Sequence, residues 1–169
     1  MRFEIVHTFK HSVAAVEEAL LDPATFEALA PRMKTIIAVE PLESGEEGGV
    51  VRRRVRYVPA PLIKRVGTLK VEPRWMEWIE ESQYDRATRR MEFRNIPRVV
   101  RIANLLENTG TLQLTETPGG GTRRVVSGEI RVKVRLVGRI AEKIIQRQGL
   151  GILAEEARVF AQILDERSR

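Results

Sequence analysis

The order of its segments constrains this chain more than any motif in it. One short alternating strand opens the sequence and two small helices follow. About a hundred residues then read as successive strands, and a single long apolar-faced helix closes the chain. A lone terminal helix after a run of strands has to lie across the sheet, because neither element can bury its apolar face alone. A curved antiparallel sheet wrapped round one helix can leave the space between them open. The layout therefore predicts a ligand cavity.

Local patterns support each element. Phe3, Ile5, His7 and Phe9 alternate with Arg2, Glu4, Thr8 and Lys10, the period of a half-buried strand. Ser12 is placed to cap a helix whose Val13, Val16, Ala19 and Leu20 share one face. Asp22-Pro23 restarts the helix, with Asp as cap and Pro at the first helical position. Phe26 and Leu29 supply its buried face, and Pro31 stops it. Strands are expected over 36–41 and 50–58 around the turn-rich 44–49, over 74–82 and 90–96 around 84–87, and over 105–117 and 122–136 around Pro118-Gly119-Gly120-Gly121. From Val137 to about residue 167, apolar residues recur at helical spacing. Gly149 and Gly151 within that stretch predict a kink or a close approach of another backbone.

Taken in this order, several segments carry a resemblance. They are Phe3-Glu4-Ile5 running into Ser12-Val13-Ala14-Ala15-Val16, the Leu21-Asp22-Pro23 step, and the tail with Arg131-Val132-Lys133-Val134-Arg135-Leu136-Val137-Gly138-Arg139-Ile140-Ala141-Glu142-Lys143. Through them nearly the whole chain resembles the START-related helix-grip superfamily (SRPBCC), which includes birch pollen allergen, lipid-transfer domains and polyketide cyclases. The resemblance implies one α+β domain over residues 1–169: a curved antiparallel sheet of about seven strands around a long C-terminal helix, with two short helices after the first strand. It implies a cavity and no particular reaction, since the superfamily shares no catalytic motif.

Composition narrows the chemistry. Cysteine is absent, so disulfides, thiolate nucleophiles and thiolate metal sites are excluded. No apolar stretch reaches the ~18 residues needed to cross a bilayer, and the charged, alternating N-terminus does not read as a secretory signal. A soluble, cytoplasmic chain is expected. The net charge of +6 could draw nucleic acid or an anionic surface. Dispersed arginines interleaved with glutamates read instead as a solvated face. Aromatic residues make up only 5%, too few for a row of base-stacking platforms. No phosphate-binding Gly-Lys-Ser/Thr signature or other cofactor motif is present.

Four groups of residues carry chemical possibilities. His7 and His11 are the only histidines, and no nearby carboxylate or cysteine completes a metal site; no metal is expected, and His7 reads as a core or cavity contact. Glu77, Glu80 and Glu81 lie near Trp75 and Trp78, where a carboxylate against an indole could hold its proton as an acid–base group. Which face of that strand points inward stays open. In Arg52-Arg53-Arg54-Val55-Arg56-Tyr57, alternation puts Arg52, Arg54 and Arg56 outward, opposite Glu40 and Glu43. Arg53 falls inward and calls for an anionic partner, either a protein carboxylate or an acidic ligand. Finally, residues 61–66 and 97–102 mix apolar and basic side chains between strands, a composition suited to lids or to transient contact with anionic lipid.

The function expected from these readings is binding of a hydrophobic or amphipathic, lipid-like small molecule between sheet and terminal helix, by a monomer or homodimer. The expected wall is Ile5, His7, Arg53, Val55, Tyr57, Trp78, Phe93, Asn95, Asn108, Leu112, Ile130, Ile144 and Phe160. Asn95 and Asn108 are included because inward polar groups need partners. No residue is assigned a catalytic role. The alternatives are a cyclase or aromatase using the same cavity, and a peripheral membrane or partner-binding module.

Overall fold

The computed structural model describes residues 1–66, 68–135 and 137–168, with the side chain of residue 69 excepted. In chain order the elements are β1 (Arg2–Phe9), α1 (Val13–Leu21), α2 (Pro23–Leu29), β2 (Ile36–Glu47), β3 (Val50–Pro59), the two-residue strands β4 (Arg65–Val66) and β5 (Leu69–Lys70), β6 (Trp78–Asp85), β7 (Arg90–Pro97), the short α3 (Val100–Ala103), β8 (Leu106–Glu116), β9 (Thr122–Val132) and α4 (Gly138–Arg167). Seven strands form one antiparallel sheet in the order β1-β9-β8-β7-β6-β3-β2, and β4 and β5 pair with each other. The chain crosses from one sheet edge to the other only once, through α1 and α2. Those helices therefore close one end of the curve.

The helix starts follow the expected capping. The Ala15 amide donates to the Ser12 hydroxyl at 3.3 Å, and the Ala24 amide donates to the Asp22 carboxylate at 2.9 Å, each satisfying a backbone donor that the first turn leaves orphaned. Several expected boundaries move. β2 runs on through Ser44, Gly45 and Glu46, because Gly48 and Gly49 alone make the turn, with φ of 58° and 79°. That is the left-handed conformation a tight hairpin requires. Residues 73–76 form a 3₁₀ turn begun by Pro73, so β6 starts at Trp78 and extends through Asp85. β9 ends at Val132, whose amide donates to the Glu142 carboxylate at 2.9 Å; Leu136, expected at the end of this strand, lies outside the described residues. α4 runs unbroken through Gly149 and Gly151, and a Cβ placed on either would touch nothing within 4 Å. The expected close approach of another backbone is absent there.

The convex face accounts for the basic run. Arg54 pairs with Glu43 at 2.7 Å and Glu81 at 3.3 Å, and Glu81 also takes Arg94 at 2.5 Å. In the next row Arg56 bridges Glu40 and Glu77, both at 2.9 Å, and Glu77 continues to Arg98 at 3.0 Å. Alternating charge thus crosses four strands in the first row, and in the second it crosses β2 and β3 and runs on to residues just outside β6 and β7. Single exposed pairs contribute little; the rows mainly fix strand register, since a one-residue slip would turn them inward.

α4 is held at both sheet edges. Gln146 donates to the Arg2 carbonyl at 2.7 Å on β1. On the β2 side, Glu155 accepts from the Lys34 and Thr35 amides, each at 2.9 Å. Its last turns are clasped by α1–α2: Arg32 makes a bidentate pair with Glu166 at 2.8 and 3.0 Å, and Arg167 reaches Asp22 at 2.6 Å.

Candidate functional site

The interior under α4 has two unlike halves. Toward the C-terminal end of the helix it is solid: Phe9, Val51, Tyr84, Met91, Leu112, Leu114, Val126, Val159, Phe160, Ile163 and Leu164 are all buried, with Phe9 and Phe160 edge to face at 5.5 Å. Toward the other end, no α4 residue from Glu142 to Glu156 is fully buried. The sheet residues facing that stretch, Phe3, Ile5, Tyr57, Trp78 and Phe93, are only partly covered. A well-packed interior leaves few inward aromatics half-covered. This half of the grip is the less tightly packed one, called the open half below.

Two glycines help keep it open. Cross-strand register places Phe3, Gly128, Gly110 and Phe93 in one inward row across β1, β9, β8 and β7. A Cβ on Gly110 would lie 2.5 Å from Phe93 Cζ, and one on Gly128 would lie 2.8 Å from Phe3 Cζ. Each ring therefore occupies the place a side chain at its cross-strand glycine would take. Tyr57 and Trp78 extend this apolar floor, stacked at 5.1 Å with planes 8° apart.

At the edge of the open half the sheet parts. Pairing of β7 with β8 stops at Arg94 and Thr109, so the next pair in register, Asn95 and Asn108, is unzipped. Pro97 has no amide hydrogen with which to continue the ladder, and the chain turns into α3. A groove of about 390 Å³ opens there, lined by Asn95, Pro97, Ala103, Leu106 and Asn108 together with the outward-facing Arg94, Glu107, Thr109, Glu129 and Arg131, and by no residue of α4. The side-chain oxygens of Asn95 and Asn108 are both buried and neither has a hydrogen-bond partner. An unpaired buried polar group costs about 1–3 kcal/mol, and here two such carboxamides flank one gap.

Charged groups ring the boundary between the halves. Arg124, 2% exposed, donates to Glu156 of α4 at 3.0 and 2.5 Å and to His7 Nδ1 at 3.1 Å. Burial, and then the Arg124 charge, hold the His7 imidazole below its ordinary pKa, with Glu156 opposing. Glu80 faces inward between Val55 and Asn95. Burial raises its carboxyl above the usual carboxylate range, the Arg53 charge opposing and Glu156 adding to the rise. The Tyr57 phenol is likewise raised well above its ordinary value, chiefly by burial and then by Glu80. A carboxyl raised in this way takes up a proton more readily than an exposed one, and when protonated it is a hydrogen-bond donor.

The sequence-expected wall divides accordingly. Ile5, Tyr57, Trp78, Phe93, Asn95 and Asn108 belong to the open half, and His7 to the boundary; Ile144 is half-buried on α4. Val55, Leu112 and Phe160 are fully buried members of the packed interior, and Ile130 is buried outside that cluster, across from Asn108 at the gap. Arg53, 5% exposed, makes no close carboxylate pair among the described residues, although its charge acts on the Glu80 carboxyl. It donates to the Leu20 carbonyl at 2.6 Å and lies 5.0 Å over the Phe26 ring. The negative end of α1 and an aromatic face take the place of the expected carboxylate. The strand carrying the tryptophan–glutamate cluster points Trp78 and Glu80 inward and Ile79 and Glu81 outward. His11 is hydrogen-bonded to Asp165 at 2.7 Å, and the described residues contain no group of three or more metal-ligating side chains. Arg124, Glu156, Phe3 and the glycine pair escaped the sequence reading, although Arg124 shares the parity of Val126 and Ile130.

A curved seven-stranded sheet gripping one long helix defines the START-related helix-grip (SRPBCC) fold. Solved structures agree over the full length. A protein from Thermus thermophilus, TTHA0849, superposes with a TM-score of 0.70 at 20% identity over 100% of both chains. The Zhui aromatase/cyclase from Streptomyces sp. R1128 gives 0.68 at 17% over 100% of this chain and 96% of its own. Norcoclaurine synthase from Thalictrum flavum, solved in complex with dopamine and hydroxybenzaldehyde, gives 0.69 at 16% over 98% and 87%. No curated protein sequence matches the chain. The chain belongs to the DUF2505 family, described as a protein of unknown function, which matches residues 4–164.

Proposed function

We propose that this protein binds a hydrophobic or amphipathic small molecule in the open half of the grip. The apolar body lies under α4 against Phe3, Ile5, Tyr57, Trp78 and Phe93, and a polar end meets Asn95 and Asn108. One observation carries this reading: two buried carboxamide oxygens without partners flank a gap beside a half-covered aromatic floor. Apolar burial at ~25 cal/mol per Å² supplies the affinity, and the carboxamides set orientation. Native mass spectrometry of freshly purified protein, followed by extraction, tests the reading. A retained small molecule at one per chain, reduced in Asn95→Leu and Asn108→Leu, is the expected result. Bare chain mass, with neither Asn95 nor Asn108 side-chain amide signals moving across a panel of amphipathic probes, would refute it.

A second reading has its own support. Glu80 is an inward carboxyl with a raised pKa, and two proteins of the same fold are named as a synthase and an aromatase/cyclase. In this reading the cavity holds a folded carbonyl substrate and Glu80 is the proton donor. Turnover of an aromatic polyketide mimic by the wild type and its loss in Glu80→Gln support it; binding of the mimic without turnover leaves the binder reading standing alone.

A further inference from the structure

Charge on this chain is concentrated. Segments 98–105 and 133–147 hold seven lysine and arginine residues against one glutamate, so they carry as much net charge as the entire chain, +6. Both leave the same end of the β8–β9 pair: Leu106 faces Val132 across it, and the Lys133 amide donates to the Leu105 carbonyl at 2.7 Å. Arg98 is engaged by Glu77 and Lys133 by Glu107. Arg101, Arg135, Arg139, Lys143 and Arg147 make no ion pair among the described residues. The single acidic residue of the two segments, Glu142, is held by the Met1 ammonium and the Val132 amide, with the Arg139 charge acting on it only at longer range. Among these cations stand Val100 at 74% exposure, Ile140 at 53% and Val137 at 36%.

We propose that this end of the protein docks on a bilayer surface containing anionic phospholipid. Cations are drawn to the headgroups at about 1 kcal/mol each, and exposed aliphatic side chains among them enter the boundary of the acyl region. Among the described residues no helix is long and apolar enough to cross a membrane, so the contact is peripheral. Nucleic acid would use the cations equally well but gives Val100 and Ile140 nothing to enter, and neither segment holds an aromatic residue for stacking. α3 begins three residues after Pro97 at the sheet gap, so docking sets that opening against lipid. The proposal stands independently of what the cavity holds.

Co-sedimentation of the full chain with vesicles tests it, comparing phosphatidylcholine alone with phosphatidylcholine containing about one-third phosphatidylglycerol. Binding is expected only to the anionic vesicles, weakened about fivefold by each of Arg135→Ala and Arg139→Ala. The double substitution Val100→Ser/Ile140→Ser leaves charge unchanged and should weaken it about tenfold. Both sites are exposed, and an unchanged circular dichroism spectrum and melting temperature confirm folding of each variant. Absence of binding to anionic vesicles overturns the proposal. So does full binding by the double serine variant, or capture of duplex DNA more tightly than vesicles, because either makes charge alone responsible.

Discussion

The guanidinium of Arg124 donates to Nδ1 of His7 at 3.1 Å, and this places the imidazole proton. Arginine has no acceptor, so Nδ1 must offer its lone pair and neutral His7 carries hydrogen on Nε2, an atom left buried without a partner. Protonating Nδ1 would lose that bond and set two cations side by side. Burial and the Arg124 charge accordingly lower the His7 pKa from 6.5. The unfolded chain binds a proton near pH 6.5 that the folded chain refuses, so stability rises with pH through that window. The melting temperature should fall as pH drops from about 7 through 6.5 and level off below the folded value. His7→Gln should flatten this part of the profile. A profile unchanged by the substitution would contradict the assignment.

Glu80 predicts the opposite slope. Its carboxyl holds a proton in the folded chain above 4.5, where the unfolded chain has released it. Stability therefore falls as pH rises from 4.5 through the folded value. Glu80→Gln, which keeps the shape and removes the charge, should stabilise the protein at pH 7, and urea denaturation at pH 5 and pH 7 checks it. Lower stability at pH 7 than the wild type would mean that Glu80 is held ionised.

Arg124 and Glu156 form a largely buried pair, and removing one member strands the other. Arg124→Met should destabilise by about 3–5 kcal/mol, and Arg124→Met/Glu156→Leu by distinctly less than the two single changes combined. A double-mutant cycle in urea measures the coupling; strict additivity would show that the two do not act together.

Glycines at different places should respond oppositely to alanine. Gly110→Ala drives a Cβ to 2.5 Å from both Phe93 Cζ and the Ser127 carbonyl oxygen, overpacking worth about 1–3 kcal/mol of destabilisation. Gly149→Ala meets nothing and should stabilise α4 by about 0.5–1 kcal/mol. Thermal denaturation of the two variants checks the signs.

Local signals in the sequence carried the architecture well. Ser12 and Asp22 announced their caps, alternation put Arg52, Arg54 and Arg56 outside, and the parity of Asn95 and Asn108 with Phe93 and Leu112 put two carboxamides inside. What stayed hidden depends on partners distant in sequence. Nothing near Arg53 reveals that the Leu20 carbonyl would satisfy it, and nothing near Glu155 reveals the Lys34 and Thr35 amides it receives. The looser packing beneath the first half of α4 was the least legible feature. It follows from Gly110 meeting Phe93 and Gly128 meeting Phe3 across strands, and a glycine read alone in a strand signals only weakness. The 390 Å³ gap arises because Pro97 ends one ladder just where Asn95 and Asn108 would pair.

Native mass spectrometry of protein taken rapidly from cells addresses the half-open grip most directly. A species heavier than the 19.3 kDa chain by one small molecule, whose release shifts the Trp78 indole and the Asn95 and Asn108 amide signals, is the expected result. A chain at its bare mass, with those three signals unmoved by any amphipathic compound offered, would contradict a binding role for the space beneath α4.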